Sequence, residues 1–429
     1  MKVLKFGGTS VQFAKDMRQV GDIIAKYSGE KILVVLSACR GATDNLIKLS
    51  EAAAKNDMRL REEIINSLCK SHFELIDQLF VGEEYKSKAY SEISALFAEL
   101  KNIIEGIALL KELTLKTKSA VVAFGELLST TIFTIYAQSI GMDAEFLDSR
   151  TIMRIERKNN CDTAVDFEAT LANLNLKAKP ILESGKIPIC QGFIGSDFEG
   201  RTAVLSRGGS DYSAAVFGAL LDADEIQIWT DVSGVLSADP RIASNAETIR
   251  FLTFEEAAEL SFFGAKVLHP DTVKPAVEKN IPVRVLNTRI PDDEGSLIRS
   301  EPHSDRAYLS GATKLSGLCR TVLQNSNDSG ADSALEIGKI YYKEEYNSKT
   351  SLLFESAEKS GDYSLICIAG ANLDHSGAAK ALANLFEILS DYPIESISIS
   401  RYKILIVLKS ENVDPLFLEL HDYIIKLNK

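Results

Sequence analysis

Two short segments combine residue types that could hold a chain of phosphates. The first is Lys5-Phe6-Gly7-Gly8-Thr9-Ser10, which follows an apolar run at 3–6 and precedes a helical pattern reaching about residue 26. Glycines let backbone N–H groups approach an anion closely. A following helix N-terminus adds partial positive charge, and a lysine at the end of the strand can reach the same anion. The second is Ser206-Arg207-Gly208-Gly209-Ser210-Asp211-Tyr212, again between an apolar strand and a helix. Arg207 offers a planar fork for a carboxylate or phosphate. Alone, each segment is equally an ordinary tight turn, the second capped by Ser210. Together they predict a phosphate chain lying between two helix N-termini. Neither the G-x-x-x-x-G-K-[ST] spacing nor G-x-G-x-x-G occurs, which removes the main sequence argument for a dinucleotide dehydrogenase.

Three further segments qualify. A strand ends at Thr230-Asp231, where α/β proteins bind ligands, and the loop beyond carries Gly234, Leu236, Asp239, Pro240 and Arg241. The run Phe263-Gly264-Ala265-Lys266-Val267-Leu268-His269-Pro270 supplies another cation, with His269 reading as a structural loop residue. Glu126 lies in an otherwise apolar helical stretch, 124–130. A buried carboxylate there needs a partner, and a ligand amine would serve.

The elements that must position these residues alternate between strand and helix. The all-apolar run 32–36 has the character of a strand covered on both faces. Strands are expected again at 143–147, 187–191, 203–205, 225–229 and 282–286, with a helix at 210–221. Thr253 and Glu256 form a capping box that opens a helix to about residue 263. This alternation predicts a mainly parallel sheet. Residues 44–141 break it with helical periodicity and read as an all-α insertion. Residues 290–313, with Pro291, Gly295, Pro302 and Gly311, read as a linker. Beyond it, a strand at 363–369, a helix at 377–389, a hairpin at 394–408 and a helix at 413–425 follow the β-α-β-β-α order of a ferredoxin-like module. Strands at 315–324, 340–342 and 351–354 belong to a second such unit, whose helix is not evident in the polar stretch 326–334.

The whole chain has 429 residues and a net charge of −12, with 45% hydrophobic and 25% charged residues. That is an ordinary globular composition. Its sign excludes general nucleic-acid or membrane-surface binding, which needs a basic field. The six cysteines (Cys39, Cys69, Cys161, Cys190, Cys319, Cys367) show no C-x-x-C and no clustering with histidine. They suit a reducing compartment rather than a disulfide framework or zinc site. No targeting segment and no run of about 18 apolar residues are expected, so the expected location is the cytoplasm.

In order and spacing the motifs resemble those of the aspartokinases, in the amino acid kinase superfamily. The match is carried by Lys5–Ser10, Leu36-Ser37-Ala38, 124–130, 207–212, Thr230-Asp231 with 238–241, and 263–270. The resemblance implies an amino acid kinase fold, a mainly parallel sheet sandwiched by helices, over residues 1–295. It also implies C-terminal ferredoxin-like ACT modules at 313–360 (degenerate) and 361–429, after a linker at 296–312. Lys5, Asp211 and Lys266 would be catalytic, Asp211 orienting the two lysines. Ser37, Thr43, Glu126, Phe193, Arg207 and Ser210 would hold L-aspartate, Arg207 taking a carboxylate and Glu126 the ammonium. Lys5, Gly7, Gly8, Ser10, Thr230, Asp231, Leu236, Arg241 and Lys266 would contact ATP. Mg²⁺ would ride on ATP oxygens, with no dedicated metal ligands in the chain. The implied partners are a second copy of the chain through the ACT region and an amino-acid effector, with the degenerate first unit arguing for weak or absent lysine inhibition. Two other readings are a sister kinase acting on glutamate or acetylglutamate, and an inactive amino-acid sensor. The retention of Lys5, Asp211 and Lys266 speaks against the sensor.

Overall fold

The computed structural model describes residues 1–157, 163–205, 208–264, 270–301, 308–324, 339–346, 349–355 and 361–429. Two compact units divide the chain. One comprises Met1–Ser233 and Asp271–Leu297, the other Gly234–Pro270 and Ile298–Lys429.

In the first unit six strands lie side by side in the order Val283–Asn287, Glu225–Thr230, Lys2–Phe6, Ile32–Leu36, Ile187–Gln191, Ala144–Leu147. All five pairings are parallel, with Val3 opposite both Leu33 and Ile226. Every residue of Ile32–Leu36 is buried, as its unbroken apolar run requires of a central strand. Because the strands are parallel, all their C-terminal ends reach one edge of the sheet, the edge where such folds bind ligands.

The expected insertion is a set of helices: Ala42–Ala54, Met58–Leu79, Glu83–Leu110, Leu115–Val122 and Phe124–Ser139. Their apolar faces join one core with the sheet, including Leu46, Leu68, Phe97, Leu128 and Phe133. The stretch Leu115–Ser139 is long and apolar enough to cross a membrane by composition, against the expectation of no such run, but 89% of its window is buried in this core. Its apolarity is that of an internal helix. The pair Ile155–Arg157 with Thr163–Val165 has no counterpart among the expected strands, and the strand expected at 203–205 falls at Thr202–Val204, in a separate antiparallel pair with Ile194–Ser196 rather than in the parallel sheet. Three-residue strands are too short to show a period of two.

The second unit contains a six-stranded antiparallel sheet in the order Ile340–Tyr346, Lys349–Phe354, Leu309–Gln324, Tyr363–Gly370, Lys403–Lys409, Ile394–Ile399. Helices Ala379–Leu389 and Val413–Leu427 bury Leu385, Leu416, Phe417 and Ile424 in a core with Leu309, Ile366 and Ile406. The β-α-β-β-α module is therefore present. The expected linker is corrected in part. Ser296–Arg299 is a strand, and the strand expected from residue 315 begins at Leu309. The reason is non-local. Leu309 to Leu318 pair with Tyr363–Gly370, and Cys319 to Gln324 pair with Lys349–Phe354, so one long strand with a bulge serves both modules. The stretch 326–334, where the first module's helix was sought, lies outside the described residues. The capping box forms as expected: Thr253 N–H donates to the Glu256 carboxylate at 2.8 Å, and Glu256 N–H donates to Thr253 Oγ1 at 3.2 Å.

Candidate active site

Strand Lys2–Phe6 ends in a backbone turn held from both sides. Gly7 N–H donates to the Trp229 carbonyl at 3.0 Å, and Ser10 N–H donates to the Gly7 carbonyl at 2.9 Å. The residue at position 8 must be glycine, because a Cβ there would stand 2.6 Å from the Ala38 carbonyl oxygen. Arg40 N–H then donates to the Gly8 carbonyl at 3.2 Å. The turn is thus pressed against the loop that follows the neighbouring strand. Gly8→Ala is expected to displace the turn at a cost of about 1–3 kcal/mol. A thermal melt should fall by a few degrees and KM for the nucleotide should rise, and an unchanged KM would contradict the assigned cradle.

Lys5 projects from the same strand and is only 7% exposed. Its ammonium lies 2.6 Å from the Asp211 carboxylate. Asp211 sits in the first turn of helix Gly209–Leu220, entered through Gly208 at φ +78°. A Cβ at Gly208 would meet Thr272 Cγ2 at 2.5 Å, and one at Gly209 would meet the Phe193 ring at 2.5 Å. Both glycines of the second turn are therefore set by close approach as well as by conformation. Phe193 itself holds φ +65°. Its N–H donates to Ser213 Oγ at 2.9 Å, and that hydroxyl donates to the Gly209 carbonyl at 2.8 Å. A bulky residue in the left-handed region is strained, and such strain concentrates at functional sites. Ser210 packs beneath Gly192, where a Cβ would stand 2.6 Å from Ser210 Cβ.

Ser37, Thr43 and Glu126 gather around Ala38. Glu126, in the first turn of Phe124–Ser139, accepts from Ala38 N–H at 3.3 Å through Oε1. Its Oε2 is buried without a partner. Burial pushes the carboxyl up to about 8, while the Ala38 N–H and the charge of Lys5 draw it back. Gly125 brings the helix against Ala38, with its Cβ position 3.7 Å from Thr43 Oγ1. Ser129 Oγ donates to the Ser37 carbonyl at 2.8 Å. A buried carboxylate oxygen with no partner is a place for a cationic ligand group.

Thr230 and Asp231 stand at the end of the adjacent strand, their side chains 3.3 Å apart. They line a small crevice with Thr9, Ser10, Asp16, Thr288 and Arg289. Ser10 is 2% exposed, and its hydroxyl bonds Thr288 rather than facing outward. Leu236 and Arg241 belong to the second unit. Arg241 is held by Asp239 through Nε at 3.0 Å and Nη2 at 2.5 Å. Arg207, Lys266 and His269 lie outside the described residues. Among the described residues no group of three His, Cys, Asp or Glu could hold a metal. Asn287, Thr288 and Arg289 went unnoticed in the sequence. The strand-end rule that selected Thr230 and Asp231 applies to them equally, since they follow strand Val283–Asn287.

Residues 1–287 match the amino acid kinase family, and the chain belongs to it. Aspartokinases are among its relatives. The chain is 38% identical over 314 residues to aspartokinase 1, chloroplastic, of Arabidopsis thaliana, covering 72% of this chain and 53% of that protein. It thus spans about half the length of that relative. Among solved structures, E. coli aspartokinase III in complex with aspartate and ADP superposes with TM-score 0.79 at 27% identity, covering 99% of this chain and 100% of that one. The same enzyme in complex with lysine and aspartate gives TM-score 0.83 at 27% identity, covering 99% of each.

Proposed function

We propose that the protein is an aspartate kinase, transferring the γ-phosphoryl group of ATP to the β-carboxylate of L-aspartate to give 4-phospho-L-aspartate. The observation that carries this reading is the Lys5–Asp211 ion pair at 2.6 Å beside the Gly7–Gly8 turn. The aspartate- and ADP-bound E. coli relative supports the choice of substrates.

The chemistry asks little covalent work of the chain. A carboxylate oxygen forms a bond to phosphorus as the bond to the bridging oxygen of ADP breaks, and no proton needs to move, because the acceptor is already ionised at neutral pH. What remains is to place one anion against another and neutralise the charge. Lys5 faces the transferring group and is aimed by Asp211. The Gly8 turn, where no Cβ fits, offers its backbone to the phosphates. Glu126 Oε2 takes the α-ammonium, and Arg207, by the family resemblance, takes a carboxylate of the substrate. Ser37, Thr43, Phe193 and Ser210 wall the acceptor. Lys266 adds a second cation, and Thr230, Asp231, Leu236 and Arg241 serve the nucleotide. The donor set suits Mg²⁺ carried mainly by phosphate oxygens and water, where it supplies neutralising charge. The antiparallel unit is read as paired ACT modules that join two copies of the chain and take an amino-acid effector. Cys39, Cys69, Cys190 and Cys367 are free thiols, which suits a cytoplasmic location.

The test is hydroxylamine trapping of the acyl phosphate with aspartate, glutamate and acetylglutamate as acceptors, each with and without lysine. Product with aspartate alone is expected, with weak or no inhibition by lysine. Turnover of glutamate but not aspartate would overturn the reading, and strong inhibition at sub-millimolar lysine would overturn the reading of the first module as degenerate.

A further inference from the structure

The turn after strand Val283–Asn287 does more than end that strand. The Thr288 and Ser10 hydroxyls share a hydrogen bond at 2.7 Å, with both residues 3% exposed or less. Thr288 N–H donates to the Thr230 carbonyl at 2.8 Å. Next to it, Asn287 Nδ2 donates to Ser233 Oγ at 2.9 Å, and Asn287 Oδ1 accepts from Arg289 N–H at 2.9 Å. Asn287 is itself 6% exposed. One turn therefore holds two loops: the glycine turn through Ser10, and the loop beyond Thr230 through the Thr230 carbonyl and Ser233. These loops follow adjacent strands whose register is Lys5 opposite Ile228 and Phe6 opposite Trp229.

The geometry points to Thr288 as a positioning residue for the nucleotide, acting through Ser10 on the Gly7–Gly8 turn. The inference rests on the nucleotide assignment made above. Ser10 closes that turn through its own N–H, and its hydroxyl ties the turn to Thr288. Without Thr288 Oγ1 the Ser10 hydroxyl would be buried with no partner, and the turn would gain freedom to move toward the crevice to regain one. A phosphate-binding backbone loses affinity when its N–H groups are no longer pre-aimed. The acceptor side is anchored by other bonds, Ser37 N–H to the Phe6 carbonyl at 3.1 Å and Ala38 N–H to Glu126 at 3.3 Å, neither of which runs through Ser10 or Thr288, so it should be less affected.

The variants are Thr288→Val, which keeps the shape and removes the hydroxyl, Thr288→Ser, which keeps the hydroxyl, Ser10→Ala, and the double variant Ser10→Ala/Thr288→Val. Thr288→Val is expected to raise KM for ATP about tenfold with KM for aspartate changed less than about twofold. Thr288→Ser should restore KM for ATP to within about twofold, and the double variant should be no worse than the poorer single one, since the hydroxyls act as a pair. ADP binding by calorimetry is measured alongside and should weaken in parallel. An unchanged KM for ATP in Thr288→Val overturns the inference. So does an equal rise in both KM values that Thr288→Ser does not rescue, because that is a general structural defect. If the wild-type chain binds ADP but does not phosphorylate aspartate, the functional reading fails, while the calorimetric series still decides the role of Thr288.

Discussion

Lys5→Ala is expected to lower kcat by about 10³-fold while leaving the far-UV circular dichroism spectrum unchanged. Removing a single aimed donor from a transition-state oxyanion typically costs 10²–10³-fold, and Lys5 combines that role with a full charge in a nearly buried position. Uniform neutralisation would help ground state and transition state alike. Charge spreads over the transferring oxygens only as the bond breaks, so the loss should fall on kcat more than on KM. Asp211→Ala should cost about 10²-fold, because the ammonium remains but is no longer directed by the carboxylate 2.6 Å away. Lys5→Arg should not rescue, since the planar guanidinium cannot occupy the space of a compact ammonium beside Gly7 and Asp211. A coupled assay of ADP release measures all three. Retention of more than a tenth of kcat in Lys5→Ala would remove this lysine from the mechanism.

The second large effect is a pH dependence on the acceptor side. Burial holds the Glu126 carboxyl up to about 8, so in the empty site it is mostly protonated at pH 7. It must ionise to pair with the substrate ammonium, which stays charged throughout the range. The value of kcat/KM for aspartate should therefore climb about tenfold per pH unit between roughly pH 6 and 7.5, then level above about 8. Glu126→Gln should flatten that limb and lower the plateau by about 10²-fold, the cost of an unpaired charge in a buried site. Stability runs the other way. The folded-state value lies above the ordinary 4.5 of an exposed glutamate, so protonation favours the folded chain. That contribution is complete below about pH 4.5 and is lost by up to about 1.4 kcal/mol per pH unit as pH rises toward about 8. Denaturant titrations at pH 6 and pH 8 should thus show a smaller decline in Glu126→Gln than in the wild type. A pH-independent kcat/KM in the wild type would contradict the assignment of Glu126 to the ammonium.

Much of the site was legible because its signals are local. Lys5–Ser10 and Gly208–Asp211 announce themselves through glycine spacing at strand-to-helix junctions, and Glu126 through being the one acid in an apolar turn. The parallel sheet followed from alternation, and the insertion from helical periodicity. What escaped was imposed from a distance. Phe193 holds a positive φ because Gly209 and Ser213 fix it from another helix, and nothing in Gln191-Gly192-Phe193 signals this. Residues 309–312 look like linker in composition, yet Leu309 and Ala312 are fully buried through pairing with a strand some 60 residues later. Thr288 is an ordinary polar residue after an ordinary strand, and its meaning depends on Ser10, 278 positions away.

The strand that bears Lys5 precedes every other strand of its sheet in chain order, yet it lies inside that sheet rather than at its edge. One of its edges can pair with Ile32–Leu36 as soon as that strand is made, but the other must wait for Glu225–Thr230. At usual translation rates that interval lasts on the order of 10–45 s. For most of it Asp211 is not yet made, and Thr288 follows only afterwards, so the open-edged strand has neither the Lys5–Asp211 pair nor the Ser10–Thr288 bond. Through that interval the strand that carries Lys5 keeps one unpaired edge, and such an edge invites pairing with another chain. A chain that stops before residue 211 carries the Lys5–Ser10 motif without the aspartate that pairs with Lys5.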